Sequence, residues 1–383
     1  MRPSPALGPN AYFIGVAGSR HSLDTPALLL DRAALERNIA KMAAIAEQHG
    51  IGLRPHVKTH KSARIAQMQI EAGAVGVSCA TLGEAEAMVQ AGIPGVLVTS
   101  PVVSTNKLRR LVALAEKAGP RQLMVVVDDA CNVAELAVLA ARLAYPLDVL
   151  IDYQCGYHRT GVPDEDAALA LARTIAETGS LRLRGIQAYG GNLQHIAARN
   201  QREDAAAQLR ETVAKLVRAL RSAGMPIEMV TGVGTGTHES DAGGGVFTEM
   251  QPGSYVFMDV EYAQVLSDET RGAPFETALY VQSTVVSTRA PAWVTVDAGT
   301  KSFATDSVAP VVARGVDGPA QYAFFGDEHG KLTVDAEHRP PLAARIEFTT
   351  PHCDPTVNLY DRYHVVDGDT LIDIWPIDAR GRL

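Results

Sequence analysis

The chain has 383 residues, of which 46% are hydrophobic, so it is long enough for a large buried core and for more than one ordinary domain. A net charge of -8 without a long basic run argues against binding to nucleic acid. The four cysteines (Cys79, Cys131, Cys155 and Cys353) form no CxxC pair, which argues against a zinc ribbon and a disulfide framework. Reduced thiols are therefore expected, as in a cytoplasmic protein.

Targeting and membrane segments are not expected. Residues 1–22 mix Pro, Gly and Ser without the charged-then-apolar order of a signal peptide. No run approaches the roughly 20 apolar residues of a membrane span. The composition is typical of a soluble enzyme of small-molecule metabolism.

Short apolar runs alternate with helical patterns through the first two thirds of the chain. Eight runs are predicted as buried strands: Gly52–Val57, Ala74–Cys79, Gly95–Thr99, Leu123–Asp128, Leu147–Asp152, Leu183–Ala188, Glu228–Thr231 and Ser254–Met258. Six helices are predicted between them: Ser62–Ala72, Leu82–Ala91, Ser104–Ala118, Ala130–Leu143, Asp164–Glu177 and Arg199–Ala223. This alternation predicts an α/β fold, a (β/α)8 TIM barrel, with an open doubly wound sheet as the alternative.

The two ends of the chain have a different pattern. A strand at Ala27–Asp31 and a helix from Arg32 to His49 form a lead-in to the barrel. After Asp259 long helical patterns disappear and short strand-like runs follow, which predicts a β-rich C-terminal domain. We therefore divide the chain into an N-terminal segment (1–30) that packs with the β domain, the barrel (31–260) and the β-rich domain (261–383).

The segment Arg54–Lys61 reads Arg-Pro-His-Val-Lys-Thr-His-Lys. If it is extended, Arg54, His56, Lys58 and His60 share one face, because side chains alternate along a strand. Neighbouring positive charges disfavour the charged form of an amine, so Lys58 would lose its proton readily and attack a carbonyl carbon. A solvated basic strand end, or a phosphate site without chemistry, explains the segment equally well.

Barrel active sites lie at the carboxyl ends of the strands, and two loops there carry polar side chains. After the fifth predicted strand, glycines at 156 and 161 flank Arg159, whose forked donors suit an anionic oxygen. After the sixth, Tyr189 precedes two glycines that would admit a flat ligand, and His195 is a candidate base. A surface arginine and a solvated loop histidine are the alternatives.

The loop after the seventh predicted strand alternates glycine and threonine from Thr231 to Thr237. Its backbone N–H groups and hydroxyls suit a phosphate group, although it is neither a Walker loop nor a GxGxxG motif. Further donors are expected at Gly253, Ser254 and Tyr255, and phosphate binding beside strands 7 and 8 recurs among barrels. An ordinary glycine-rich turn is the alternative.

The predicted β-rich domain contains the segment Pro351–Thr356. In an extended conformation His352 and Asp354 face the same way, with Cys353 opposite. One imidazole and one carboxylate, completed by water, suit Mn, Mg, Co or Zn, whereas coordination by Cys353 would favour zinc. Chance clustering of polar residues is an equal alternative.

Together these motifs resemble those of the D-threonine aldolase and D-serine dehydratase family, which are fold-type III pyridoxal phosphate (PLP) enzymes. The likeness covers nearly the whole chain and lies in Asp24–Ala27, Pro55–Lys61, His158–Gly161, Gly232–Gly236 and Pro351–Pro355. It implies an alanine-racemase-like barrel, a β domain at the C-terminus and a homodimer.

The resemblance also implies roles for residues of the barrel. Lys58 would form the Schiff base with PLP, Arg159 would contact the phenolic oxygen of the cofactor, and Tyr189 would lie beside its ring. The phosphate would be held by two turns: Thr231, Gly234, Thr235, Gly236, Gly253, Ser254 and Tyr255. No residue is assigned to the pyridine nitrogen.

In the same way, His352 and Asp354 would bind a divalent metal, foremost Mn, near the β-hydroxyl of a D-3-hydroxy amino acid. The implied reaction is cleavage of the Cα–Cβ bond to glycine and an aldehyde, with His195 or metal-bound hydroxide as the base. The dehydratase branch is similar but uses His and Cys two residues apart. Asp354 stands at that position here, which favours the aldolase branch.

Three other functions stay open. A D-serine or 3-hydroxyaspartate dehydratase would use the same cofactor and metal. A non-catalytic PLP carrier would need neither the β-rich domain nor the pair of His352 and Asp354. A fold-type III racemase would need a second catalytic tyrosine, which the sequence does not identify.

Overall fold

A computed structural model describes residues 7–267 and 272–382, so residues 1–6, 268–271 and 383 of the predicted terminal domains lie outside the described residues. The chain divides into two compact units. The barrel unit consists of the described residues within Lys41–Lys58, Ala63–Gly253 and Gly381–Leu383. The β unit consists of those within Met1–Ala40, Thr59–Ser62 and Ser254–Arg380.

The first seven helices agree closely with those predicted from periodicity, whereas the three short helices that follow them were not predicted. In chain order they are Arg32–His49 (α1), Ala63–Glu71 (α2), Leu82–Gln90 (α3), Thr105–Ala118 (α4), Ala130–Ala140 (α5), Glu165–Ala176 (α6), Arg199–Ser222 (α7), His238–Ala242 (α8), Val260–Leu266 (α9) and Cys353–Val357 (α10). Within the described ranges, none of them has the length and apolar character that crossing a membrane requires.

The strands fall into two sheets. In chain order they are Ala27–Asp31 (β1), Gly52–Leu53 (β2), Val77–Cys79 (β3), Val96–Val98 (β4), Leu123–Val127 (β5), Leu147–Asp152 (β6), Leu181–Ala188 (β7), Met229–Gly232 (β8), Glu249–Met250 (β9), Leu279–Ser287 (β10), Trp293–Val296 (β11), Val311–Arg314 (β12), Ala320–Phe324 (β13), Gly330–Val334 (β14), Arg345–Thr349 (β15), Arg362–Asp367 (β16) and Thr370–Pro376 (β17).

The barrel unit contains eight parallel strands in the order β2-β9-β8-β7-β6-β5-β4-β3. A parallel bridge between His56 and Ser78 joins the end of β2 to β3 and closes the ring. Apolar side chains from adjacent strands, including Leu97, Met124 and Leu150, form a buried cluster. The predicted (β/α)8 barrel is confirmed.

Polar side chains start several of the barrel helices. Ser104, predicted as a cap, accepts the backbone N–H of Lys107 at 3.4 Å. Asp164 caps α6 in the same way, with 2.9 Å between its carboxylate and the amide of Ala167. Each such cap is worth about 1 kcal/mol, because it pairs an amide that has no partner within the helix.

The prediction of the eighth barrel strand is wrong. The predicted run Ser254–Met258 belongs to the β unit and starts with a 3-10 turn, whereas the eighth strand is β9 at Glu249–Met250. Tyr255 and Met258 are fully buried, so this segment is apolar although it is not a strand. Met258 has a φ of 50°, so the backbone is not extended there. Continuous burial alone does not distinguish a strand from a buried turn.

The β unit contains a nine-stranded sheet, which confirms the predicted β-rich domain. The lead-in strand β1 lies between β10, to which it is antiparallel, and β16, to which it is parallel. Ala11 and Leu23 from the N-terminal part of the chain pack against Leu371 and Ile374 of β17. The sequence did not predict β12, which is largely exposed, or β16.

A buried histidine lies in this sheet. His364 of β16 has Nδ1 3.2 Å from the carbonyl oxygen of Leu28 and Nε2 3.0 Å from Nδ2 of Asn10. The carbonyl can only accept and the amide nitrogen can only donate, so the proton lies on Nδ1 of a neutral ring. Burial lowers the pKa of His364 to about 4.

We expect the β unit to lose stability in acid because of His364. The pKa of His364 is lower in the folded protein than in the unfolded chain, so the unfolded chain binds a proton more readily. The free energy of unfolding therefore falls as the pH drops below about 6.5. The loss attributable to His364 is about 3 kcal/mol between about pH 7 and pH 4. Urea unfolding of wild type and His364→Gln across this range measures it. Identical pH dependence in the two proteins would contradict the assignment.

Candidate active site

Lys58 lies in a 3-10 turn, Val57–Thr59, directly after the first barrel strand, and its side chain is partly buried. The four basic residues do not share one extended face. Arg54 instead forms a bidentate pair with Glu249, with N–O distances of 2.7 and 2.8 Å, and donates to the carbonyl of Gly95. The predicted repulsion among four cations is therefore wrong for Arg54, because a buried carboxylate neutralises it.

His56 supports the lysine turn. Its Nδ1 accepts the backbone N–H of Lys58 at 3.3 Å, which requires the ring proton on Nε2. Nε2 lies 3.1 Å from the hydroxyl of Thr99, which in turn donates to the carbonyl of Cys79. The turn that presents Lys58 is thus fixed by a buried hydrogen-bond chain.

The next four residues, Thr59–Ser62, belong to the β unit. The hydroxyl of Tyr363 donates to the carbonyl of His60 at 2.6 Å. The backbone N–H of Ala379 donates to the carbonyl of Lys61 at 2.9 Å. The hydroxyls of Thr59 and Ser62 are buried and have no hydrogen-bond partner among the described residues. An unpaired buried hydroxyl costs about 1–3 kcal/mol, so these two are unusual features of the segment that follows Lys58.

The structure brings Arg159 and Tyr189 together. Both line a cavity of about 100 Å³ formed by residues that follow β4, β6 and β7. The guanidinium of Arg159 is exposed and lies over the ring of Tyr157, 5.5 Å from its centroid. A cationic fork beside aromatic rings can hold a planar anionic ligand.

Asp152, at the end of β6, anchors the loop that carries Arg159, and the sequence did not predict this role. Its carboxylate accepts the hydroxyl of Thr160 at 2.7 Å and Nε2 of Gln187 at 2.9 Å. Burial raises the pKa of Asp152, while these two hydrogen bonds oppose that shift. A carboxylate or amide at the end of a buried barrel strand was the available signal.

The glycine-threonine turn is held from two sides. The amide of Gly236 donates to Oε1 of Gln194 at 2.8 Å. Nδ1 of buried His238 donates to the carbonyl of Thr235 at 2.7 Å, and burial lowers the pKa of His238. A Cβ at Gly234 or Gly236 would lie 2.3 Å from an atom of Gln194. The glycines are therefore required by close approach, and neither Gln194 nor His238 was predicted.

The remaining predicted residues are distributed over both units. Thr231 lies in β8, one residue before its end, and its hydroxyl accepts Nε2 of Gln251 at 2.9 Å. Gly253 is the last barrel residue before the β unit. Ser254 and Tyr255 are buried in the 3-10 turn that opens the next part of the β unit. His195 is exposed on the turn after β7.

In the β unit, His352 precedes α10, and Asp354 lies in its first turn. The extended conformation predicted for this segment is wrong beyond His352. Pro355 is compatible with a first helical turn, because the missing N–H would have no partner there. Cys353 is fully buried, whereas His352 and Asp354 are partly exposed. Burial raises the pKa of the Cys353 thiol well above its usual value, which disfavours the thiolate that a metal needs.

Asp259 fastens this turn to the start of α9. Its carboxylate accepts the amides of Cys353 and Tyr262, each at 2.9 Å, and the side chain is fully buried. Burial raises the pKa of Asp259. The amide of Val260 also donates to the carbonyl of Thr350 at 3.0 Å. The position of His352 is thus set by a buried carboxylate that the sequence motif does not include.

The donor set suits a loosely held divalent cation. Nδ1 of His352 is 2.9 Å from a carboxylate oxygen of Asp306, which leaves Nε2 as the ligand atom of the ring. The carboxylate of Asp354, in the first turn of α10, is the candidate oxygen donor. Across 7–267 and 272–382 no group of three or more His, Cys, Asp or Glu residues is arranged around a metal position. A metal here would have two protein ligands, with water completing its shell.

Unusual backbone conformations coincide with the predicted motifs. Six non-glycine residues of the described chain have positive φ, and four of them are Lys61, His158, Val233 and Met258. Such conformations cost about 1–3 kcal/mol each and persist where the surroundings enforce them, often at functional sites. Val233, which is β-branched, is the strongest case and starts the glycine-threonine turn.

A parallel barrel with a lysine turn after its first strand, followed by a β-rich domain, defines the alanine-racemase class of fold. A family model described as the alanine racemase N-terminal domain matches residues 30–261, and a putative serine dehydratase domain matches residues 278–366. The chain belongs to the D-threonine aldolase and D-serine dehydratase family.

Individual relatives cover nearly the full length. The chain is 38% identical over 94% of its length to a D-threonine aldolase from Arthrobacter sp, covering 93% of that protein. It is 36% identical over 94% of its length to a 3-hydroxy-D-aspartate aldolase from Paracoccus denitrificans, again covering 93%. The crystal structure of D-threonine aldolase from Filomicrobium marinum superposes with a TM-score of 0.88 at 38% identity, covering 95% of this chain and 97% of that one. The resemblance inferred from the motifs is confirmed.

We expect Gly236→Ala to destabilise the protein by about 1–3 kcal/mol, because the added methyl would overlap the backbone of Gln194. The substitution should also weaken PLP binding. Gly179→Ala is the matched control, since a Cβ there meets nothing within 4 Å. Thermal melting and PLP titration measure both effects. Equal behaviour of the two variants would show that the turn tolerates the methyl group.

Proposed function

We propose that the protein is a PLP- and divalent-metal-dependent lyase of the D-threonine aldolase type, which cleaves the Cα–Cβ bond of D-3-hydroxy amino acids to glycine and an aldehyde. The observation that carries the aldolase assignment is the His352 turn, in which Asp354 is partly exposed while Cys353 is buried. Full-length similarity to two aldolases supports it.

The barrel residues fit PLP. Lys58 would hold the cofactor covalently through its amine, Arg159 would face its phenolic oxygen, and Tyr189 would lie beside the ring. The cavity that Arg159 and Tyr189 share supports this placement. The phosphate would be bound by Thr231, Gly234, Thr235, Gly236, Gly253, Ser254 and Tyr255. When bound, PLP supplies an electron sink for the bond that breaks.

The β-unit residues fit a divalent metal, for which we propose Mn, with Mg, Co or Zn as alternatives. Nε2 of His352 and the carboxylate of Asp354 would hold it. A metal in this position supplies Lewis acidity to the β-hydroxyl of the substrate. The carboxylate of Asp354 lowers the net charge of the site, which suits a hard cation better than a thiol would.

The reaction requires two proton transfers: a base removes the proton of the β-hydroxyl, and an acid delivers a proton to Cα. We propose that an imidazole nitrogen of His195 takes the hydroxyl proton as the Cα–Cβ bond breaks. His195 is exposed on the turn after β7, and an imidazole is a common general base. The Lys58 amine is the proposed carrier of the proton to Cα.

We also propose that the protein acts in the cytoplasm as a homodimer. Within the described residues the four cysteines form no disulfide bond with one another, as expected in a reducing compartment. The dimer follows from the family resemblance. Light scattering of the PLP-loaded protein tests it, and a mass of one chain at micromolar concentration would contradict it.

Replacing Lys58 tests the cofactor assignment. We expect Lys58→Ala and Lys58→Arg to lose the absorbance of the Schiff base, because neither side chain can form it. Lys117→Ala, on the surface of α4, should keep it. Borohydride reduction followed by peptide mass spectrometry should place the PLP adduct on Lys58 in the wild type. An adduct on another lysine would refute the assignment.

Product analysis tests the reaction. We expect PLP-loaded enzyme with D-threonine and Mn²⁺ to give glycine and acetaldehyde, and EDTA to suppress this. His352→Ala and Asp354→Ala should lose the dependence on metal while PLP stays bound. Ammonia and 2-oxobutanoate as products would support the dehydratase function instead. Binding of PLP without turnover of any D-3-hydroxy amino acid would indicate a carrier.

A further inference from the structure

Asp306 is a polar residue outside every motif recognised in the sequence. It lies in the segment between β11 and β12, and His352 lies 46 positions further along the chain. Its carboxylate oxygen is 2.9 Å from Nδ1 of His352. We propose that Asp306 is a positioning residue, which holds His352 in the tautomer and orientation that present Nε2 as a metal ligand. This inference rests on the metal site of the proposed function.

The tautomer follows from the chemistry of the pair. A carboxylate can only accept a hydrogen bond, so Nδ1 of His352 must carry the proton that is shared with Asp306. In a neutral ring the lone pair then lies on Nε2. Histidines that bind metals generally donate their other ring N–H to a carboxylate or carbonyl, which orients the ring and strengthens the ligand.

The pairing is built into the fold rather than left to two mobile side chains. Thr356, which is fully buried, donates its hydroxyl to the carbonyl of His352 at 2.7 Å. The hydroxyl oxygen of Thr356 also accepts the backbone N–H of Ala304 at 3.0 Å. The backbone two residues before Asp306 is therefore tied to the backbone of His352 through one side chain, which fixes the spacing of the pair.

The solvent exposure of Asp306 and His352 distinguishes a positioning role for Asp306 from a role in folding stability. The side chain of Asp306 is 52% exposed and that of His352 is 24% exposed. An exposed ion pair contributes little to folding, so Asp306 should be dispensable for stability. It should nevertheless matter for metal binding, because the ring of His352 would otherwise rotate and populate both tautomers.

The test is Mn²⁺ titration of the PLP-loaded protein, with free Mn²⁺ followed by electron paramagnetic resonance. We expect Asp306→Ala to weaken Mn²⁺ binding by about 10–100-fold with an unchanged melting temperature. Asp306→Asn should weaken it less, because the amide oxygen still accepts from Nδ1. Asp317→Asn, an exposed residue of the same unit, controls for the loss of one negative charge.

The outcomes distinguish the two levels of the proposal. Wild-type Mn²⁺ affinity in Asp306→Ala would overturn the positioning role while the metal site stands. Equal weakening in Asp306→Ala and Asp317→Asn would also overturn it, in favour of a general charge effect. Wild-type affinity in His352→Ala would refute the metal site itself, and the positioning role with it.

Discussion

The bidentate pair of Arg54 and Glu249 is the interaction on which the barrel depends. It joins the first barrel strand to the last, and these strands share only two paired residues each, Gly52 with Glu249 and Leu53 with Met250. The side chains are only 5% and 11% exposed, so loss of one partner would leave a buried charge and cost about 3–5 kcal/mol. Lys58 lies four residues after Arg54, so the pairing of these two strands also sets where Lys58 stands.

Carboxylates fasten the irregular segments that carry the candidate site. Asp152 holds the Arg159 loop through Thr160, Asp259 holds the amide of Cys353, and Asp306 holds the ring of His352. A charged acceptor makes shorter and stronger hydrogen bonds than a neutral one and can accept several donors at once. Loops without regular backbone pairing can therefore be as well defined as the strands they follow, which a preorganised site requires.

Much of the fold could be predicted because its signals are local. The limits of α1 agree with the helical period residue for residue, and Ser104 and Asp164 cap their helices as side-chain chemistry requires. Errors arose where a local pattern has two explanations. The apolar run at Ser254–Met258 looked like a strand but is a buried turn. Alternation suggested an extended segment at Asp354, which lies in the helix Cys353–Val357.

The sequence by itself determined the barrel, the β-rich domain and the family, since residue periodicity and short motifs are properties of neighbouring residues. Only the tertiary structure decided which side chains serve the motifs. Glu249 lies 195 positions from Arg54, Asp259 lies 94 from Cys353, and Asp306 lies 46 from His352. Hydrogen bonding depends on distance and direction in space, and chain folding brings these groups within 3 Å of one another without leaving any regular spacing in the sequence.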